Sequence, residues 1–250
     1  MKKILILNWK MNPESPKEAI KLFDFISKKT KSSTIIALPY LYLKDVRSRQ
    51  GGESKIKTIA QNVFYAPSGA YTGEISALML KKSNIGGSIV GHSERRYIFK
   101  EDDNLINKKI ISLTENNLLA VLCVGETKKT SHEEALNFIK NQIKNDLSDI
   151  SKLKYKTLNT KLIIAYEPVW SIGGGKPTDA KRSALIIKEI KSFIKEKYKL
   201  EIRVLYGGSV DCKNISSFLE YKEIDGFLVG SASLKKPEIS CIINKVEKIK

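Results

Sequence analysis

Three side chains of different chemistry stand just beyond short apolar runs: Lys10 after Ile4–Leu7, His92 after Ser88–Val90, and Glu167 after Leu162–Ala165. Brought together, a carboxylate can take a proton from carbon, an imidazole can polarise a carbonyl, and an ammonium can hold developing negative charge. Asn8, Ser93, Glu94 and Arg95 flank the first two of these residues. Taken singly, each has a structural alternative: a histidine packs or caps, a strand-end glutamate pairs with an arginine, and Lys10 is one lysine among many. What sets the three apart is that all share the same face of the barrel these runs predict, each in an unusual local sequence. Glycines mark a second kind of chemistry. Gly173-Gly174-Gly175, Gly207-Gly208-Ser209 and Gly230-Ser231 all follow late runs. Glycine lets backbone N–H groups approach an anion, and Ser209 and Ser231 precede helical stretches whose N-termini carry positive dipole. No GxxxxGK[ST] or strand-linked GxGxxG occurs, so nothing points to a nucleotide.

Residues at run ends converge only if the runs are parallel strands of one sheet. Eight continuous apolar segments recur: Ile4–Leu7, Thr34–Leu38, Thr58–Gln61, Ser88–Val90, Ala120–Val124, Leu162–Ala165, Arg203–Leu205 and Gly226–Val229. Strands buried on both faces read this way. Helical periodicity lies between them. Lys17–Lys29 sets Ile20, Phe23 and Ile26 on one face, and Thr178–Tyr198 sets Ala184, Ile187, Ile190 and Ile194 likewise, with Thr178 as its cap. Eight strands alternating with helices predict an α/β fold, a single parallel eight-stranded (β/α)₈ barrel, whose active residues cluster at the C-terminal strand ends. No linker or composition break divides residues 1–250, so one domain is expected. Asn62–Glu74, with Phe64, Tyr65, Tyr71, Pro67, Gly69 and Gly73, reads as a functional or interfacial loop.

Composition narrows the classes. The 250 residues are 42% hydrophobic and 28% charged, and no apolar run is long enough to span a membrane. Met1-Lys2-Lys3 and Ile4–Leu7 briefly resemble a secretory signal, but Asn8-Trp9-Lys10 ends the run, and a cytoplasmic location is expected. Cys123, Cys212 and Cys241 form no CxxC pair and read as free thiols. With two histidines in all, no metal site and no cofactor is expected, which also disfavours a metal-dependent epimerase. A Schiff-base aldolase lacks a distinctive late lysine. The net charge of +17 raises a nucleic-acid partner, but only six of the 44 basic residues are arginine and the lysines alternate with apolar positions. No specific nucleic-acid binding is expected.

Asn8-Trp9-Lys10-Met11-Asn12, Gly91-His92-Ser93-Glu94-Arg95-Arg96, Ala165-Tyr166-Glu167-Pro168-Val169-Trp170 and Tyr206-Gly207-Gly208-Ser209-Val210 resemble the signatures of the triosephosphate isomerases. Gln61-Asn62, Tyr71–Ser76, Cys123–Glu126 and Gly226–Gly230 are similar to family segments too, in register from about residue 4 to 234. The resemblance implies interconversion of glyceraldehyde 3-phosphate and dihydroxyacetone phosphate through an enediol(ate), in glycolysis and gluconeogenesis. It implies Glu167 as base, neutral His92 as hydrogen-bond donor to the oxyanion, Lys10 and Asn8 as polar support, and Glu94 as orienter of Lys10. Phosphate would lie on Asn8, Lys10, Gly173, Ser209, Gly230 and Ser231, beneath a lid spanning Pro168–Thr178. Thr72 would dock into a second subunit, giving a homodimer. Two departures carry expectations. Gly174 replaces the usual lid threonine and Pro177 follows it, which implies altered lid kinetics. Ser231 replaces a glycine, and its N–H serves phosphate only where the backbone accepts a Cβ.

Overall fold

A computed structural model describes residues 2–30, 34–49, 56–150, 158–159, 161–172 and 178–249. Eight strands run β1 (Ile4–Asn8), β2 (Thr34–Leu38), β3 (Ile56–Ala60), β4 (Gly87–Val90), β5 (Leu119–Val124), β6 (Leu162–Tyr166), β7 (Arg203–Tyr206) and β8 (Gly226–Val229). Each pairs in parallel with the next, and β8 pairs in parallel with β1, so the sheet closes into a barrel. The register is fixed by pairs such as Leu7↔Ile36, Val121↔Ile163 and Leu7↔Val229.

Side chains alternate across each strand. Ile6, Ile35, Ala37, Ile59, Ile89, Val121, Cys123, Ile163, Ala165, Leu205 and Leu228 point inward and fill the barrel. Their neighbours, among them Leu5, Leu7, Ile36, Leu122, Ile164 and Val204, face the surrounding helices. Counting in twos from Ile6, Ala165 and Leu205 leads to Asn8, Glu167 and Gly207 at the inner rim, so the packing parity of the core aims the functional residues.

The outer helices include α1 (Pro16–Lys29), α2 (Tyr40–Arg49), α3 (Ala77–Lys82), α4 (Ser93–Tyr97), α5 (Asp103–Glu115), α6 (His132–Asp146), α7 (Ala180–Tyr198), α8 (Ile215–Leu219) and α9 (Lys236–Glu247). Their starts follow local chemistry. Ser15 caps α1 ahead of Pro16, and Ser131 and Glu134 form a reciprocal capping box on α6. Thr178 is not the cap of α7. Asp179 accepts the Arg182 N–H there, because the Thr178 hydroxyl is buried in hydrogen bonds with Ser171 and the Tyr206 hydroxyl. The third strand also begins earlier than the apolar run suggested, since Ile56 and Lys57 join the ladder with β2.

The free-thiol expectation fails for two cysteines. Cys212, just before α8, and Cys241, in α9, form a disulfide with Cα atoms 5.7 Å apart. A separation of 29 residues hides the fact that the β7–α8 turn and α9 lie side by side around the barrel. Cys123 alone is free, and it is buried.

Candidate active site

A cavity of about 690 Å³ opens at the C-terminal rim, lined by Asn8, Lys10, His92, Glu167, Gly207 to Asp211, Lys213, Asn214, and Gly230 to Ala232, with others. Five strand ends therefore contribute, and the expected trio shares one mouth.

Glu167 is 2% exposed. Its Oε2 accepts the Ser93 N–H at 3.1 Å, and its Oε1 lies 3.4 Å from His92 Nε2. The carboxylate is thus held by the first turn of α4. Two glycines let it sit there. A Cβ at Gly125 would meet the Glu167 carbonyl oxygen at 1.7 Å, and one at Gly207 would meet Glu167 Cγ at 2.9 Å.

His92 precedes α4, and its Nδ1 accepts the Glu94 N–H at 3.3 Å. The same Nδ1 lies 3.5 Å from Glu94 Oε2, and Nε2 faces Glu167 Oε1 at 3.4 Å.

Lys10 has a left-handed backbone, φ 53°, which costs a non-glycine residue on the order of 1–3 kcal/mol. The strain is held by polar contacts: its N–H donates to Asn8 Oδ1 at 3.0 Å, and Gln61 Nε2 donates to its carbonyl at 2.8 Å. Its ammonium pairs with Glu94 Oε1 at 2.6 Å, while Glu94 stays 40% exposed. Glu94 therefore orients Lys10 from the rim.

On the phosphate side, Ser209 donates its hydroxyl to the Ser171 carbonyl, and Asn214 Nδ2 caps the Ser209 carbonyl at 3.0 Å. Gly230 follows β8, and Ser231 opens a short 3-10 turn. Ser231 is not among the described residues with positive φ, so its Cβ is accommodated without left-handed strain. Gly173, Gly174 and Pro177 lie outside the described residues. At the edge of that segment, Trp170 Nε1 and the Tyr166 hydroxyl both donate to Glu126 Oε1.

Gln61 and Glu126 fall in segments similar to the family's but carry no role there, and Asn214 carries no signal in sequence, since amides and carboxylates are common near strand ends. Their roles come from hydrogen bonds made across the barrel rim.

A closed parallel barrel with a buried carboxylate, an imidazole beside it, a paired lysine and glycine-rich late loops defines an acid–base enzyme for small phosphorylated substrates. The comparisons narrow the class. The family model described as Triosephosphate isomerase matches residues 3–246. Relatives carrying that name include one from Clostridium tetani, 39% identical over 97% of this chain and 96% of its own length. Others come from Malacoplasma penetrans, 40% identical over 94% and 95%, and Dictyoglomus turgidum, 42% identical over 94% and 95%. The chain belongs to the triosephosphate isomerase family.

Proposed function

We propose that this chain, as one barrel domain over residues 1–250, interconverts glyceraldehyde 3-phosphate and dihydroxyacetone phosphate, with Glu167 as the base. The observation that carries this reading is the Glu167 carboxylate, buried and lining the cavity 3.4 Å from His92 Nε2.

Glu167 would remove the proton from the carbon beside the carbonyl, leaving an enediolate, and return it to the neighbouring carbon, while the hydroxyl proton passes from one enediolate oxygen to the other. His92 Nε2–H would donate to whichever oxygen bears the growing charge, and Lys10 would lower the energy of that charge. Asn8 would add a hydrogen bond. The N–H groups of Gly173, Ser209, Gly230 and Ser231 would hold the phosphate, fixing the reacting carbons against the carboxylate. The chemistry is a proton shuttle between adjacent carbons and asks for no redox partner.

The homodimer reading has its own support. A second cavity of about 330 Å³ adjoins Lys10 and His92, and its wall includes Met11 at 94% exposure and Phe99 at 63%. Large exposed apolar side chains beside reacting groups call for cover, and Thr72 on the aromatic Asn62–Glu74 loop would supply it from a second copy. A cytoplasmic place in glycolysis and gluconeogenesis follows from the same reading.

A coupled assay of the triose phosphate pair, wild type beside Glu167→Asp, tests the reaction and the base together. Withdrawing the carboxylate by one methylene is expected to lower kcat by about 100-fold or more. A wild type inactive on this pair would overturn the reading, and an active Glu167→Asp enzyme would remove Glu167 from the role.

A further inference from the structure

Asp146, the last residue of α6, is 0% exposed. It touches nothing in the catalytic cavity, yet its Oδ2 is bound tightly by Arg96 Nη2 in α4. Arg96 is itself buried, and its remaining donors go to specific places. Nε donates to the Gly91 carbonyl at 2.8 Å, Nη2 also to the Cys123 carbonyl at 3.2 Å, and Nη1 to Asp103 at 2.6 Å. Gly91 immediately precedes His92. The next carbonyl along that strand, that of Val124, accepts the Glu167 N–H at 2.7 Å. One guanidinium thus grips the backbone leading into the imidazole and the strand end on which the Glu167 backbone is hung.

A buried guanidinium keeps such a geometry only while its charge is compensated. We infer that Asp146 is a positioning residue for the isomerisation, acting through Arg96 to hold the His92 loop and Glu167 in reacting register. The inference rests on the proposed triose phosphate activity. The other groups facing the Asp146 carboxyl are Asp103 on α5, Cys123 on β5 and Tyr198 on α7, and the Asn107 amide binds its carbonyl.

Burial outweighs the pull of Arg96 and pushes the Asp146 carboxyl up to about 7. Above that pH the acid is ionised and Arg96 is paired on both flanks. Below it Asp146 is neutral and the guanidinium keeps only Asp103. Wild-type kcat is therefore expected to fall as pH drops through about 7, whereas titration of the substrate phosphate moves KM.

The test is a pair of kcat and KM profiles between about pH 6 and pH 8, for wild type and Asp146→Asn, with melting curves alongside. Asn keeps the shape and removes the charge. The expected result at pH 8 is a kcat about tenfold lower with KM within about twofold. The wild-type acid limb is expected to be absent from the variant. Should Asp146→Asn fail to fold, Arg96→Lys, which keeps the charge but loses the fork, is expected to give the same kcat-selective loss. A folded variant with unchanged kcat, a loss confined to KM, or a wild-type kcat flat across this range would each overturn the inference. Absence of wild-type activity on the triose phosphates strikes the parent reading instead, so the two failures are distinguishable.

Discussion

At the scale of single residues, Glu167, His92 and Lys10 were legible because each ends an apolar run, and a parallel barrel gathers such ends. What could not be read was how each is held. The left-handed backbone of Lys10 and its clamp by Gln61 depend on contacts 51 residues apart in sequence. The role of Gly207 is likewise spatial. It looks like one glycine of a phosphate loop, yet the space it leaves is occupied by the base. A Cβ there would lie 2.9 Å from Glu167 Cγ and 3.5 Å from its Oε1. Gly207→Ala is therefore expected to push the carboxylate off line, lowering kcat about tenfold or more with little change in phosphate affinity. Inhibition by inorganic phosphate, measured with turnover, separates the two: a weakened phosphate constant with intact kcat would mean that the glycine serves the anion and not the base.

At the scale of elements, periodicity found all eight strands, and β2 and β8 have the bounds the apolar runs suggested. The errors sit where tertiary contacts decide. Thr178 has cap chemistry, but the Tyr206 hydroxyl and Ser171 draw its hydroxyl inward, and Asp179 takes the helix. The Cys212–Cys241 pair was missed because pairing follows the angular order of elements around the barrel, which local sequence does not encode. That bond ties the segment after Ser209 to α9, where Glu238 also accepts the Cys212 N–H and Lys245 binds its carbonyl. Closing a 29-residue loop restricts the unfolded chain, a gain of about 3.6 kcal/mol in chain-entropy terms. Denaturant melts with and without dithiothreitol are expected to differ by about that amount. Thiol titration gives an independent check: one reactive thiol in denaturant before reduction, and three after it, since Cys123 is free but buried. Three thiols without reductant would show that the bond is not formed.

At the scale of the whole molecule, the +17 formal charge was legible in sign and size but not in use. Lysines on the outer helices and elsewhere along the chain carry it, and Lys213 and Lys235 join Lys10 around the catalytic mouth, offset by Asp211, Glu167 and Glu238. A field of this sign concentrates an anionic substrate near the barrel whether or not any single lysine touches it, and salt screens such long-range attraction. Raising ionic strength from about 20 to about 300 mM is expected to lower kcat/KM for glyceraldehyde 3-phosphate about fivefold, with kcat unchanged. Unphosphorylated glyceraldehyde supplies the contrast, because it carries no charge to steer but meets the same Glu167 and His92. If salt slows both substrates equally, the effect lies in the site, as when ions compete for the Lys10–Glu94 pair at the rim. If salt slows only the phosphorylated one, the lysine surplus acts at a distance, gathering substrate before the loops close on it.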